Sequence, residues 1–268
     1  MHEGPVKSRA LPRTSPLALK LFVAYSRRYM RRRFHAIRIL KSHPVRQDLS
    51  HPLLIYLNHA SWWDPLLCLD LARRWFPNRS SFAPMDAASV ERYRIFKHIG
   101  IYAVEQGTIR GAAAFLRTTC AILSVECNIV WLTPQGRFTD VRESPVQLRR
   151  GIGALAARLP QVEFLPLAVE YTFWAEPRPE VLISFGEATV PKREVRRSAA
   201  EWTDLFSGAL QDAQAELARH SCRRDPLDWL VLDRGASGVG AIYDTWRMLR
   251  ARLSGTTFSC DHQPEKWT

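Results

Sequence analysis

The apolar run Leu53–Leu57 constrains the fold of this chain more than any other segment. All five of its side chains are aliphatic or aromatic, and a run of this length and composition is typical of a buried β-strand. It is followed by a short loop, residues 58–64, and then by Pro65, a residue that suits the first turn of a helix. The segment therefore predicts a strand, a loop and a helix in succession, the arrangement from which α/β proteins are built.

The loop carries His59 and Asp64, which leave the end of the predicted strand together. In α/β proteins the loops beyond the carboxyl ends of the strands converge on a crevice where chemistry usually takes place. A histidine can take a proton from an alcohol near neutral pH, and a carboxylate bonded to its other ring nitrogen fixes the tautomer and stabilises the imidazolium. A loop histidine and a helix-capping aspartate also occur at this spacing by chance, so both interpretations stay open on this segment alone.

The composition adds a strong positive charge. The 268-residue chain has 38 lysines and arginines against 26 acidic residues, a formal net charge of +12 and a pI of about 10.0. This excess predicts attraction to an anionic partner, which can be a nucleic acid, a membrane surface or a phosphorylated substrate. With 46% hydrophobic residues the chain is long enough for one substantial core, which we place at residues 46–192.

Cysteine usage and hydropathy restrict the compartment. The five cysteines have neither paired spacing nor the density of a disulfide scaffold, so we expect reduced thiols. They form no zinc-ligand pattern with the histidines, and we expect no metal. No segment reaches the roughly 20 apolar residues needed to cross a bilayer, and residues 1–13 lack the apolar region of a signal peptide. We therefore expect the protein on the cytoplasmic side.

Residues 16–42 combine basic residues with apolar residues at intervals of three and four, which is helical periodicity. We predict a polar segment at residues 1–15 and an amphipathic helix at residues 16–45, with a cationic face and an apolar face. Such a helix can lie in a lipid headgroup layer, where each basic residue contributes about 1 kcal/mol near an anionic leaflet. The alternatives are a solvated helix that packs on the domain, and a nucleic-acid-binding arm. The second is disfavoured because no nucleic-acid-reading motif accompanies the charge.

The rest of the chain alternates between short apolar segments and helical ones. Further strands are predicted at residues 80–84, 99–105, 128–132, 162–169 and 181–185. Helices are predicted at residues 65–76, 86–98, 111–126 and 145–158, and the C-terminal region 193–255 is predicted to contain two more, at residues 196–220 and 239–253. Residues 256–268 are predicted to form a polar tail.

Four segments resemble, in the same order, the sequence blocks of the glycerol-phosphate and lysophosphatidic acid acyltransferase family. The first is Asn58-His59 followed by four residues and Asp64, which matches the family pattern N-H-x-x-x-x-D. The second is the apolar segment 99–105, which has Glu105 where the family commonly has an arginine. The first block therefore matches well, and the second matches with a change of charge.

The third and fourth blocks follow later strands. Residues 133–138 resemble the family pattern F-P-E-G-T-R, with Gln135 in place of the glutamate and Arg137 one position early. Residues 162–169 resemble the pattern V-P-x-x-I/V through Pro166. Four blocks in the family's order are much harder to obtain by chance than any one of them.

This resemblance implies a mixed, largely parallel central sheet flanked by helices, with an N-terminal amphipathic helix and a C-terminal helical extension. It also implies transfer of a fatty acyl group to the hydroxyl of a lysophospholipid-like acceptor, by default 1-acylglycerol-3-phosphate. The acyl donor would be a thioester, acyl-CoA or acyl-carrier protein, used as a co-substrate without a cofactor. His59 would act as the general base, oriented by Asp64, and transfer would be direct, without an acyl-enzyme.

The resemblance further implies substrate-binding residues at the strand ends. Gly136 would let the backbone approach a ligand, Arg137 would offer donors to a phosphate or carboxyl group, and Pro166, at a sheet edge or bulge, would shape an acyl groove. Glu105 would repel a phosphate unless Arg110 folds back to compensate for it. The predicted binding residues are Asn58, Arg110, Gln135, Gly136, Arg137 and Pro166.

Other functions stay open. Because Glu105 and Gln135 remove features associated with phosphate handling, the acceptor can instead be a phosphate-free lipid alcohol, such as a glycolipid or an aminolipid. A lipid hydrolase would use the same His59–Asp64 pair to activate water, whereas a non-catalytic lipid- or nucleic-acid-binding protein would not need it. As partners we expect membrane lipids and an anionic leaflet surface, with no nucleic acid, at a peripheral location on the cytoplasmic face of the cell membrane.

Overall fold

The structure is a computed structural model that describes residues 11–42, 51–192, 194–235, 250 and 252. Eight strands form one sheet in the order β4-β3-β5-β2-β6-β7-β1-β8, and helices flank it. The strands are β1 (Ala36–Leu40), β2 (Leu53–Leu57), β3 (Ser80–Asp86), β4 (Ile101–Val104), β5 (Asn128–Leu132), β6 (Glu163–Thr172), β7 (Glu180–Phe185) and β8 (Trp229–Arg234). The helices are α1 (Pro16–Arg33), α2 (Asp64–Trp75), α3 (Ala87–Arg92), α4 (Ile109–Leu123), α5 (Gly151–Ala156) and α6 (Ala199–Arg223), with 3-10 helices at Arg94–His98 and Pro226–Asp228.

The sheet is mixed and mostly parallel. Within the described ranges seven strand pairs are formed, and only β6–β7 and β1–β8 are antiparallel. The predicted α/β class with a mixed, largely parallel sheet and flanking helices is therefore confirmed. Because β2, β5 and β6 are parallel neighbours, the loops that follow them emerge at the same edge of the sheet.

Strand β2 is buried on both faces, as its apolar run predicts. On one face its alternate residues Leu53 and Ile55 pack with Leu67 of α2, and on the other Tyr56 packs with Phe206 of α6. The exposed fraction of each β2 residue is at most 1%. Burial of this strand fixes its register against both neighbours, and so fixes where the loop at residues 58–64 begins.

The predicted helix at residues 16–45 is wrong from Phe34 to residue 42, because α1 ends at Arg33, and residues 43–45 lie outside the described residues. Phe34 has extended backbone angles, and Ala36–Leu40 is strand β1, paired with β7 and β8. Intervals of three suggested a helix here, but Ile37 and Ile39 also alternate with Arg38, which is the period of two that a strand has. That arginine is accommodated inside the sheet because its Nε donates to Glu180 at 2.9 Å.

The C-terminal region contains a strand that was not predicted. The structure has helix α6, close to the predicted helix at residues 196–220, but β8 follows it and pairs with β1. Strands β1 and β8 thus carry the sheet beyond the predicted core at residues 46–192. Most of the predicted helix at residues 239–253 lies outside the described residues, as do residues 1–10, 43–50 and the predicted tail at 256–268.

The predicted helix at residues 145–158 is also shorter than expected, since only Gly151–Ala156 is helical. The residues before it are held by other parts of the chain. The backbone N–H of Val146 donates to the side chain of Gln211 at 3.1 Å, and that of Arg149 donates to the carbonyl of Pro134 at 2.9 Å. These contacts hold the preceding segment in a non-helical conformation.

Pro166 lies at neither an edge nor a bulge, contrary to the prediction. It is a buried residue of β6, which lies between β2 and β7. Its carbonyl accepts the N–H of Gly186, one residue past the last β6–β7 pair, Leu167↔Phe185. The proline nitrogen faces the same side as that carbonyl, so its missing N–H removes no bond from the β2–β6 ladder.

Candidate active site

His59 and Asp64 are brought together at the carboxyl end of β2. The Nδ1 atom of His59 lies 2.6 Å from Oδ2 of Asp64, and the side chains are 20% and 1% exposed. Asp64 is the first residue of α2, whose Leu67 and Leu71 are buried against the sheet. The packing of α2 therefore fixes the aspartate, and the aspartate orients the imidazole.

Two further donors hold the Asp64 carboxylate. The hydroxyl of Tyr171 donates to Oδ1 at 2.7 Å, and the backbone N–H of Ser61 donates to Oδ2 at 3.2 Å. Burial, and then the adjacent negative charge of Asp64, raise the pKa of Tyr171 well above its ordinary value, so this residue stays a phenol and a donor. Both carboxylate oxygens are thereby engaged, which leaves Asp64 a single orientation.

Tyr171 was missed by the sequence analysis, although a signal for it exists. Strand β6 is parallel to β2 and extends past it, and Tyr171 lies on the same face of β6 as Val169. A hydrogen-bonding side chain at the overhanging end of the neighbouring parallel strand is placed to reach the loop after β2.

The side chain of Asn58, a predicted binding residue, turns into the sheet. Its side chain is fully buried and its amide is used on the backbone of Val169, donating to the carbonyl at 2.9 Å and accepting the N–H at 2.8 Å. These two bonds extend the pairing of β2 with β6 by one residue. Asn58 therefore positions the loop that carries His59.

Gln135 likewise holds the backbone of His59 rather than pointing at open space. Its Oε1 atom accepts the N–H of His59 at 2.8 Å and the hydroxyl of Thr139 at 2.9 Å, and the N–H of Thr139 donates to the carbonyl of His59 at 2.9 Å. Gln135 and Thr139 are both buried. The loop after β5 thus clamps the peptide groups on both sides of the histidine.

Phe138, from the same loop, covers one side of the imidazole. The ring centroids of His59 and Phe138 lie 4.2 Å apart, and 58% of Phe138 is exposed. Phe138 is the last residue of the third block and Thr139 follows it, and neither was singled out from the sequence as a site residue. An exposed aromatic ring beside the histidine gives the site an apolar wall.

The predicted arginines are placed at the surface. Arg137 donates to the carboxylate of Glu143, with Nη1 3.2 Å from Oε2, and its side chain is 58% exposed. Arg110 is exposed in the first turn of α4, and Glu105 is exposed just after β4. Arg137 is therefore already paired with an acid, whereas we expected its N–H groups to be available to a ligand.

An aromatic chain joins α1 to the loop at residues 58–64. Tyr25 stacks on Tyr29 with centroids 5.8 Å apart, and Tyr29 contacts Trp63 at 5.1 Å and Trp62 at 6.3 Å. Trp63 packs on the core, whereas Tyr25 and Trp62 are 58% and 55% exposed. The exposed surface of α1 is thus continuous with the surroundings of His59.

Arginine side chains are concentrated between α1 and β8. A cleft of about 560 Å³ opens there, and its walls carry arginines from both elements. Arg27 pairs with Asp70 and Arg31 with Asp233, at 3.0 Å and 2.8 Å. The lining residues are Ala24, Arg27, Arg28, Arg31, Arg32, Arg234 and Gly235.

A comparison of the sequence with known proteins gives no family assignment. Neither models of known protein families nor curated proteins match the chain. Of the helices in the described ranges, none has the length and hydropathy to span a bilayer. No three histidine, cysteine or acidic side chains converge as metal ligands among the described residues, and the four cysteines described are free.

Proposed function

We propose that the protein is an acyltransferase that moves a fatty acyl group from an acyl thioester to the hydroxyl of a lysophospholipid-like acceptor, by default 1-acylglycerol-3-phosphate. The observation that carries the proposal is the 2.6 Å contact between Nδ1 of His59 and the buried carboxylate of Asp64. The match of this loop to the family's first block supports it, as does the largely parallel sheet, which suits a glycerol-phosphate acyltransferase-like fold. Acyl-CoA or acyl-carrier protein would serve as the donor.

In the proposed reaction, Nε2 of His59 takes the proton of the acceptor hydroxyl while the oxygen attacks the thioester carbonyl carbon. The tetrahedral intermediate then breaks its C–S bond, and the imidazolium returns the proton to the departing thiolate. The products are the new ester and the free thiol of the carrier. Asp64 keeps the proton on Nδ1 and stabilises the imidazolium, while Tyr171 and Ser61 hold Asp64 in place.

The exposed face of α1 supports a peripheral membrane location, which we propose on the cytoplasmic side. Leu17, Leu21 and Tyr25 recur every four residues and are 67%, 62% and 58% exposed, and the exposed Arg28 and Arg32 continue along the same side. Apolar side chains followed by arginines suit a helix that inserts into the headgroup layer of an anionic leaflet. The aromatic chain to Trp62 and Trp63 would bring that surface next to the histidine.

The test is a turnover assay with acyl-CoA and 1-acylglycerol-3-phosphate on vesicles, followed by thiol release and by mass spectrometry of the lipid product. His59→Ala is expected to lower the rate by about 10²- to 10⁴-fold, the usual contribution of a general base. His220→Ala is a matched control, because His220 makes the same type of contact with Asp228 elsewhere in the molecule. It should keep the activity of the wild type.

Three other outcomes would overturn the proposal. Release of fatty acid with no acceptor present would make the protein a lipid hydrolase. Vesicle or nucleic-acid binding without turnover, unchanged by His59→Ala, would make it a binding protein. Equal loss of activity in His59→Ala and His220→Ala would show that His59 is not the general base, because a histidine remote from the site would matter as much.

A further inference from the structure

We propose that Gln211 and Gln214 of α6 are positioning residues for His59, which they hold indirectly through the loop between β5 and α5. This inference rests on the proposed function and deepens it, because it adds residues that set the position of the general base. All four sequence blocks precede α6 in the chain, so the family resemblance assigns no role to either glutamine.

The first observation is that the loop between β5 and α5, residues 133–150, carries the groups that hold His59. We call it the clamp loop. The side chain of Gln135 accepts the N–H of His59 at 2.8 Å, and the N–H of Thr139 donates to the carbonyl of His59 at 2.9 Å. Phe138 lies against the imidazole. A shift of the clamp loop would therefore move both the backbone of the histidine and the ring that covers it.

The second observation is that two side chains of α6 hold the clamp loop by its backbone. Oε1 of Gln211 accepts the N–H of Val146 at 3.1 Å, and Nε2 of Gln214 donates to the carbonyl of Val141 at 3.3 Å. Val141 is only two residues beyond Thr139. The clamp loop is thus tied to α6 at two points, and the nearer point adjoins the residues that hold the histidine.

Helix α6 is a rigid support for these two bonds. A capping box between Ser198 and Glu201 closes its N-terminus. Its Phe206 and Leu210 are fully buried, in the same cluster as Tyr56 of β2. The two glutamines are three residues apart and therefore lie on one face of the helix. The helix consequently holds the clamp loop in a fixed relation to β2, the strand that ends just before the histidine.

The third observation is that Gln214 is poorly suited to stability alone. Its Oε1 is buried without a hydrogen-bond partner among the described residues, while its Nε2 is used on Val141. A buried polar atom without a partner lowers stability. An apolar side chain of the same length would avoid that cost but would lose the bond to the loop. What the glutamine supplies at this position is therefore its hold on the clamp loop.

The two glutamines differ in the direction of the hydrogen bond. Gln211 accepts a proton from the loop, which a carboxylate can also do, whereas Gln214 donates one, which a carboxylate cannot. Replacement by glutamate hardly changes the size of the side chain. The same substitution should therefore have opposite effects at the two positions, and this contrast isolates the hydrogen bonds.

The first test measures kcat for thiol release at saturating donor and acceptor, at a temperature where circular dichroism shows every variant folded. Gln211→Met and Gln214→Met should each lower kcat by about tenfold, because a misplaced general base reacts slowly. Gln211→Glu should stay within about twofold of the wild type, whereas Gln214→Glu should be as slow as Gln214→Met. Asp212→Met, at an exposed position between the two, is the matched control and should keep the kcat of the wild type.

Three results of this assay would overturn the inference. One is a wild-type kcat in both methionine variants. Another is the same kcat in the two glutamate variants, because the direction of the hydrogen bond would then not matter. The third is a loss in Asp212→Met as large as in its neighbours, because any change on this turn of α6 would then have the same effect.

Amide hydrogen exchange, followed by NMR, separates failure of this inference from failure of the proposed function, because it needs no turnover. In Gln211→Met and Gln214→Met the N–H groups of His59 and Thr139 should exchange about tenfold faster, while that of Ile55, in the centre of β2, keeps its rate. Wild-type rates at His59 and Thr139 would overturn the positioning role. Equal acceleration at Ile55 would also overturn it, because it would indicate a loss of global stability. Faster exchange confined to the histidine and the clamp loop, in a protein that transfers no acyl group, would support the positioning role and overturn the acyltransferase proposal alone.

Discussion

The described part of the chain contains two histidine–aspartate pairs with the same Nδ1–Oδ2 distance. In each, Nδ1 of the histidine lies 2.6 Å from an aspartate Oδ2, at His59–Asp64 and at His220–Asp228. The histidine side chains are 20% and 19% exposed. The acids differ, however, since Asp64 is 1% exposed and Asp228 is 19% exposed.

The partners of the acids differ as well. Asp64 accepts bonds from the partly buried phenol of Tyr171 and from a backbone N–H in addition to the histidine. Asp228 instead has Arg223 at 4.0 Å, and His220 has Glu216 at 4.0 Å, so the second pair belongs to a cluster of surface charges. The first pair lies at the carboxyl end of a central strand, whereas the second connects the end of α6 to the start of β8. A short contact between histidine and aspartate therefore does not by itself mark a candidate active site. The burial of the aspartate and the additional donors to its carboxylate are what distinguish the first pair from the second.

The largest effect expected from this comparison is on the two aspartates. Asp64→Asn should lower kcat/KM by about 10³- to 10⁴-fold, because the histidine loses the partner that fixes its tautomer. Asp228→Asn should leave kcat/KM within about twofold of the wild type and lower the free energy of unfolding by about 1 kcal/mol, the loss of one hydrogen bond. Thiol release and urea unfolding of both variants measure this. Comparable losses of kcat/KM would erase the distinction between the pairs.

A smaller effect is expected when the phenol that supports Asp64 is removed. Tyr171→Phe should lower kcat by about tenfold, since Oδ1 of the buried carboxylate loses its donor. The acidic limb of the pH–rate profile should move to higher pH, because a carboxylate with one donor fewer attracts the imidazolium more strongly. Rates measured between about pH 5 and 9 give the limb.

Tyr56→Phe is the control for that variant. The hydroxyl of Tyr56 is buried without a hydrogen-bond partner among the described residues, so its removal should change neither kcat nor the profile. A profile that stays in place in Tyr171→Phe would mean that the phenol only fills space.

The smallest effect is on stability in alkali. Burial raises the pKa of Tyr171, and the ionised form is confined to the unfolded chain, whose tyrosines titrate near pH 10. The contribution of the neutral Tyr171 phenol to the free energy of unfolding is therefore complete below about pH 10. It is lost as the pH rises further, by up to about 1.4 kcal/mol per pH unit for one phenol. Unfolding of wild type and Tyr171→Phe from pH 8 to about 11 should show a shallower decline in the variant. Parallel declines would contradict the burial of this phenol.

The sequence predicted strands with a continuous apolar run better than strands of mixed composition. Strand β5 was predicted residue for residue, at Asn128–Leu132, because a short run buried on both faces has a composition that needs no knowledge of its neighbours. Strand β1 was not, because Arg38 looks like a surface residue until Glu180, 142 positions away, is known to face it. A strand of mixed composition such as β1, which lies between β7 and β8, depends on such distant partners.

In the candidate site, too, the contacts between residues close in sequence were predictable, and those between distant residues were not. His59 and Asp64 are five residues apart, so their contact follows from the local strand-loop-helix pattern. Tyr171 reaches the same aspartate from 107 residues away, and that contact depends on the relative lengths of β2 and β6. The contacts of Gln135 were not predicted, because a sequence does not tell which way an amide points. Here it points at the backbone of the histidine.

The hydrogen bonds from Gln135 and Thr139 to the two peptide groups of His59 have a consequence for how the site meets its ligands. The backbone of the histidine is held in place once β2 and β5 come together, so the entropy of ordering it is lost during folding and not when a ligand binds. In the proposed reaction, the acceptor would then have only to place its own hydroxyl.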